Sequence, residues 1–391
     1  MQVVMFLVGA IAIAVTSSVF AANTYRPECF RASPDSTTIK YEKKDGPYKI
    51  AFVNGYVSND WRIQSIQSAR AWAARPANAK KIEDFKIVSV GNDSDAQIAA
   101  IDNFIATGFD AIIFIAVNPS AFNDVIRRAQ NAGVVLVPFD NILDTDKIVQ
   151  INESQLALGA LKAQAVMDIL GGKAKKILMV NGLFGNATNR DRRKGMISVL
   201  EKVKDLEIVE VVGNWDTGIS QKAVAEALAT HGQFDAVVSQ HGSAGTINAM
   251  QAAKHPIVPM GVDGENGVRM LMSALKIPGV SASQAPAMSA IALEAAVELL
   301  AGNELPQNIF LPIPSVKTEN LQDGVNFFSE LPKSFNTGTG YKECFSPFTP
   351  KELLGQSALS RSEVRGRSRS GRTAARRPEE PCCAPVLPGL K

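Results

Sequence analysis

The chain has 391 residues, 46% of them hydrophobic and 20% charged, which is enough for two ordinary domains with sizeable cores. Its net charge of +3 excludes a protein built as a whole to hold nucleic acid. Even that excess is local: residues 361–391 carry seven Arg and one Lys against three Glu, and removing this +5 leaves −2 for everything before it.

The chain opens on an uninterrupted apolar run, Val3 to Val15, followed by Thr16-Ser17-Ser18 and the small residues Ala21-Ala22. That run suits the apolar stretch of an export signal and falls short of the roughly 20 residues a membrane span needs. Residues 1–22 are therefore expected to be a cleaved signal peptide and the mature protein to be periplasmic. Only Met1 and Gln2 precede the run, with no Lys or Arg, so an uncleaved anchor is the alternative. Residues 23–46 read as a polar arm. Cys29 and Cys344 lie at opposite ends of the globular region in similar settings, Glu28-Cys29-Phe30 and Glu343-Cys344-Phe345, and a disulfide between them is expected of an exported protein. Cys382-Cys383 and three His residues give no metal-ligand spacing, and no metal or other cofactor is expected.

From residue 47 a rhythm begins. Short apolar runs at 48–53, 85–90, 111–116 and 134–139 alternate with helical patterns at 61–75, 96–107 and 120–132. Asp93-Ser94-Asp95 and Asn118-Pro119-Ser120 mark two of the helix starts. The rhythm restarts with strands at 176–181, 207–212, 235–240 and 257–262, and with helices near 155–170, 191–203, 219–230, 243–254 and 265–275. A strand at 280–284, a helix at 287–301 and an extended stretch at 311–318 follow. Runs apolar on both faces belong to parallel sheets covered by helices. The expected fold is α/β: two similar doubly wound parallel-sheet lobes, with the leftover strand, helix and extended stretch supplying chain crossovers between them. The boundaries read as 47–154 plus 284–313 for the first lobe and 155–283 plus 314–345 for the second. Residues 357–391, with Ser-Arg and Arg-Gly repeats and no apolar period, read as a disordered basic tail outside the fold. A tract of that kind can bind RNA or anionic lipid; the plainer reading is an appended sequence that is no part of the fold.

Ligands of open parallel sheets sit beyond the carboxyl ends of the strands. Those ends offer Asn59-Asp60-Trp61-Arg62, Phe139-Asp140-Asn141, the segment Asn186 to Arg192, Trp215-Asp216, Gln240-His241, Val262-Asp263-Gly264 and Gln284. Asp, Asn, Gln and Arg pair with hydroxyls that both donate and accept, and indole rings pack on the C–H faces of sugars. Taken singly, Asn59, Asp140 and Asp263 serve as well for helix caps or turns, and Trp215 for core. Enzyme signatures are missing: no glycine-rich dinucleotide loop, no complete phosphate loop and no nucleophile elbow. Of the histidines only His241 falls at a strand end, placed for ligand contact.

At these residues the chain resembles the ribose-type periplasmic binding proteins over about 47–318. The resemblance rests on Lys49-Ile50-Ala51-Phe52-Val53 leading to Asn59-Asp60-Trp61, and on Val137-Pro138-Phe139-Asp140. It continues through Arg192-Arg193-Lys194-Gly195-Met196, Gly261-Val262-Asp263-Gly264 and Ser283-Gln284-Ala285-Pro286. It implies two lobes joined by a multi-strand hinge with a ligand cleft between them, in a monomeric, non-enzymatic component of an ABC importer that captures a sugar or sugar alcohol by hinge closure and delivers it to a membrane permease. The family's contact positions fall on Asn59, Trp61, Arg62, Asp140, Arg192, Trp215, His241, Asp263 and Gln284, and Asn141 adjoins them. Family members often carry an aromatic where this chain has Arg62, and Asn followed by Asp where it has His241-Gly242. Those departures leave open a sugar with an acidic group beside a pentose, hexose or polyol. A sensor that presents its ligand to a chemoreceptor or membrane kinase reads the same from sequence. An α/β enzyme using Asp140 and His241 is a weaker alternative. The repressors that share the two-lobe fold begin with a helix-turn-helix, which this N-terminus lacks.

Overall fold

The computed structural model describes residues 27–57 and 59–357, so the signal segment and nearly all of the basic tail lie outside the described residues. Two parallel sheets organise the chain. The first runs in the order Ile82–Ser89, Tyr48–Asn54, Ala111–Phe114, Val135–Pro138. A parallel bridge between Phe139 and Ile151 extends it to Gln150–Glu153, which pairs with Asn308–Leu311. The second sheet runs Glu207–Val212, Lys176–Asn181, Ala236–Ser239, Met260–Val262, Gly279–Ala282, with Ser315–Lys317 antiparallel on the edge. Strand Tyr48–Asn54 shows why they form: Ile50, Ala51, Phe52 and Val53 are fully buried on both faces, which a sheet covered by helices requires.

The chain passes between the sheets three times, at residues 153–155, 282–285 and 311–315. Strand Gln150–Glu153 was not expected from the sequence, because three of its four residues are polar; all four are buried at the first crossing. Helix starts follow the expected caps, with one shift. Asp93 caps Ser94–Ala106 through Asp95 N and Ala96 N. Asn118 instead closes a local turn onto Ser120, and the next helix begins at Asn123, with Phe122 stacked on Phe114 in the core.

Residues 318–357 form a strap across both sheets. Asn266 exchanges side-chain hydrogen bonds with Phe328 O and N, and Thr337 N donates to Gly264 O, which fastens the strap to the second lobe. Asn336 and Gln64 then exchange two bonds of 2.7 and 2.8 Å, and Tyr341, Cys344, Phe345, Phe348 and Leu353 sink into the core of the first lobe. The stretch up to 345, assigned to the second lobe from sequence, thus divides between both. Cys29 and Cys344 form a disulfide across 315 residues. Replacing both by Ser is expected to lower stability by about 2–4 kcal/mol, because the cross-link restrains the unfolded chain. A shift in the urea midpoint under non-reducing conditions checks this; an unchanged midpoint contradicts it.

Candidate functional site

Between the sheets, at the carboxyl ends of their strands, lies a chamber of about 530 Å³ that opens to solvent. Nine of the ten residues expected from sequence line it: Asn59, Trp61, Arg62, Asp140 and Asn141 from the first lobe, Arg192, Trp215 and His241 from the second, and Gln284 from a crossing. Asp263 does not line it; fully buried, it stands behind His241 and accepts from Ser243 N, at the start of helix Ser243–Ala252. Tyr56, Thr188, Gln240 and Ser283 also line the chamber; Thr188 and Gln240 lie within the strand-end segments read from sequence, but none of the four was among the ten contacts expected.

Each wall is fixed from behind. Asn59 caps helix Asp60–Ala74 by accepting from Arg62 N, so the cap role and the place in the wall coexist. Arg62, buried, donates to Asn54 Oδ1 at 2.9 Å and lies 3.7 Å from Asp140 Oδ2. Asp140 sits at φ 64, a left-handed conformation that Asp tolerates, with its N–H held by Ile151 O. Burial raises its carboxyl above the ordinary range, and the Arg62 and Arg192 guanidiniums pull it back. Arg192 comes from helix Ala187–Leu200 and donates to Gln155 and, at 2.9 Å, to Gln284 Oε1. Burial lowers its pKa to about 10. Thr188 Oγ1 donates across the cleft to Asn141 Oδ1 at 2.8 Å, so the walls of the two lobes meet there.

Both indole N–H groups are used by the protein, Trp61 to Gln284 O at 3.0 Å and Trp215 to Gln240 Oε1 at 3.2 Å. What the two half-buried rings offer a ligand is therefore their faces. Gln240 is itself held by Asn189 Oδ1 at 2.8 Å. Gly182 makes room for the indole: a Cβ there would fall 1.9 Å from Trp215 Nε1. Gly182→Ala is expected to tilt the ring at a cost of about 1 kcal/mol, roughly fivefold in sugar affinity. A calorimetric titration beside wild type checks it, and equal affinities would contradict it.

His241 departs from expectation in its bonding. Its Nε2 lies 3.1 Å from Glu265 Oε1 and its Nδ1 3.6 Å from Asp263 Oδ2, so both nitrogens face carboxylates. Burial disfavours the imidazolium, but Asp263 and Glu265 outweigh it and raise the pKa to about 9. Burial likewise pushes the Asp263 carboxyl up, while the His241 cation and then Lys162 hold it below the ordinary range. Beneath them Lys162, fully buried, donates to Ser239 O and Gln240 O, and burial lowers it to about 7. An imidazole at about 9 in the fold and about 6.5 in the unfolded chain stabilises fully below about pH 6.5. That contribution is lost as pH rises through about 9. The stability difference between wild type and His241→Gln is expected to shrink over that window, measured by urea unfolding at each pH; a constant difference would contradict the pairing.

No group of His, Cys, Asp and Glu able to hold a metal occurs among the described residues, and none of their helices is long and apolar enough to cross a membrane. The chain is 28% identical over 243 residues to the xylitol-binding protein of Mycolicibacterium smegmatis, covering 60% of this chain and 68% of that one. It is also 28% identical over 253 residues to a putative rhizopine-binding protein of Rhizobium meliloti, covering 61% and 82%. The crystal structure of an ABC transporter solute binding protein from Thermobispora bispora superposes with a TM-score of 0.66 at 25% identity, over 85% of this chain and 98% of that one. All three are named as binding proteins and none for a reaction. A family profile described as the periplasmic binding protein domain matches residues 50–304, and the chain belongs to that family.

Proposed function

We propose that this protein is the exported, soluble capture component of an ABC importer, closing on a monosaccharide or sugar alcohol and delivering it to a membrane permease. The observation that carries the reading is the composition of the chamber. Two half-buried indoles present only their faces, and between them stand a carboxylate, two guanidiniums and several amides drawn from both lobes. That set matches a neutral ligand with apolar C–H faces and a rim of hydroxyls. Relatives named for a polyol and for a rhizopine support the same class of ligand. A ligand bridging Asp140 and Arg62 of one lobe and Arg192 of the other stabilises the closed form and shifts the population toward it. Closure then presents a changed surface to the permease.

A thermal-shift screen of the purified protein against pentoses, hexoses, sugar acids and polyols tests this. Ligand at 100 times its Kd adds about 2.7 kcal/mol of stability, visible as a raised Tm. Silence across the panel would contradict the reading.

A further inference from the structure

Arg192 is the guanidinium that the second lobe brings to the chamber wall, and it is held from behind by buried amides. A guanidinium carries five donors and no acceptor, so whatever holds it must present oxygen. Gln155 Oε1 accepts from Arg192 Nε at 3.1 Å and from a terminal nitrogen as well. Gln284 Oε1 accepts from that same terminal nitrogen at 2.9 Å. A primary amide has two unlike ends. Turned by half a rotation, either glutamine would set an NH2 group against the cation, and the hold would be lost.

Asn152 removes that freedom. Its Oδ1 accepts from Gln155 Nε2 at 2.9 Å and from Gln284 Nε2 at 3.0 Å. One buried oxygen thus draws both NH2 groups to itself and leaves both carbonyl oxygens facing Arg192. Gln155 Nε2 also donates to Glu153 O at 3.0 Å, which keeps that amide turned the same way. The bonds run head to tail from the cation to Asn152, so each polarises the next. The three amides come from separate places in the chain. Asn152 lies in strand Gln150–Glu153, Gln155 opens helix Gln155–Leu170 after the first crossing, and Gln284 lies in the second crossing. Arg192 and Gln284 line the chamber, whereas Asn152 and Gln155 stand behind it.

We propose that Asn152 is a positioning residue of the site: without touching the ligand, it fixes the two amides that aim Arg192 into the chamber. The effect on affinity rests on the reading of the chamber as a sugar site, and the effect on Arg192 does not.

Three substitutions test this. Asn152→Leu keeps the size and removes the acceptor. Asn152→Ala removes it without bulk and takes the place of the leucine variant if that one does not fold. Asn152→Asp keeps an oxygen for both amides, whether ionised or protonated. The first measurement needs no ligand: hydrogen exchange at Arg192 Nε–H by NMR, in protein carrying nitrogen-15 arginine, with the signal identified by its loss in Arg192→Met. Exchange is expected to be about tenfold faster or more without the acceptor, and close to wild type in Asn152→Asp. Unchanged exchange in Asn152→Leu and Asn152→Ala would overturn the proposal. The second measurement is calorimetry with D-xylose, D-glucose, xylitol or myo-inositol, whichever raises Tm most. Asn152→Leu is expected to bind it about tenfold more weakly or worse, with Asn152→Asp restoring most of the loss. In the Arg192→Met background the same substitution should cost nothing further, because Asn152 acts through that guanidinium. Losses that simply add would make Asn152 a general support of the fold and overturn its positioning role. If none of the four compounds binds, the sugar reading fails on its own, and the exchange rates still decide whether Asn152 holds Arg192.

Discussion

Asp140→Ala is expected to weaken ligand binding by at least tenfold and up to a few hundredfold. The carboxylate is the one acidic group in the wall of the chamber, and it faces Arg62 at 3.7 Å. Removing it takes an acceptor from the ligand's hydroxyls and leaves two buried guanidiniums with less compensating charge. A lost partner for a buried polar group costs roughly 1–3 kcal/mol, more where charge is involved, and every 1.4 kcal/mol is tenfold in Kd. Asp140→Asn separates the two effects. It keeps the shape of the side chain and one acceptor while removing the charge, so its affinity should fall between wild type and Asp140→Ala. Calorimetric titration of the three proteins decides the matter. Equal affinity in all three would mean that the ligand sits elsewhere.

Gly159→Val is the second large effect, and it acts through packing. Helix Gln155–Leu170 crosses helix Ala187–Leu200 at two glycines. A Cβ on Gly159 would fall 2.0 Å from the carbonyl oxygen of Arg192, and a Cβ on Gly195 would fall 2.0 Å from that of Leu156. Any side chain beyond hydrogen forces the helices apart, because the obstacle is backbone and cannot rotate away. A glycine inside a helix is a weak helix former by about 1 kcal/mol against Ala, a gain that close approach outweighs here. Overpacking of this kind costs about 3 kcal/mol, and the displaced helix carries Arg192 with it. The variant should therefore lose both urea stability and sugar affinity. An unchanged urea midpoint would show that the helices can separate without cost.

The site was legible to the extent that strand ends are legible. Apolar runs located the carboxyl ends of both sheets, and the polar residues just beyond them line the chamber, from Asn59 to Gln284. What lay beyond reach depended on direction and on distant contacts. Gln240 stands at a strand end beside His241 and both line the chamber, whereas the alternation of a strand would turn only one of two neighbours inward. Thr188 enters the wall only because its helix crosses the cleft to Asn141. Asp263 reads as a ligand contact in the chain and is instead taken up by Ser243 N, Glu265 N and His241. Strand Gln150–Glu153 escaped the apolar pattern because its side chains are hinge parts. Glu153 accepts from Ala285 N and Tyr341 Oη, and Asn152 accepts from Gln155 and Gln284. The strap carries aromatics at Phe335, Tyr341, Phe345 and Phe348 without helical or strand period, so nothing in its local sequence tells which lobe they enter.

Small-angle X-ray scattering with and without saturating ligand tests closure on a sugar most directly, using whichever compound of the screen raises Tm most. The account predicts a smaller radius of gyration in the presence of ligand for wild type, and for Asp140→Ala the same contraction only at ligand concentrations at least tenfold higher. A saturated wild-type protein with an unchanged radius, or a variant that contracts at the same ligand concentrations as wild type, would contradict it.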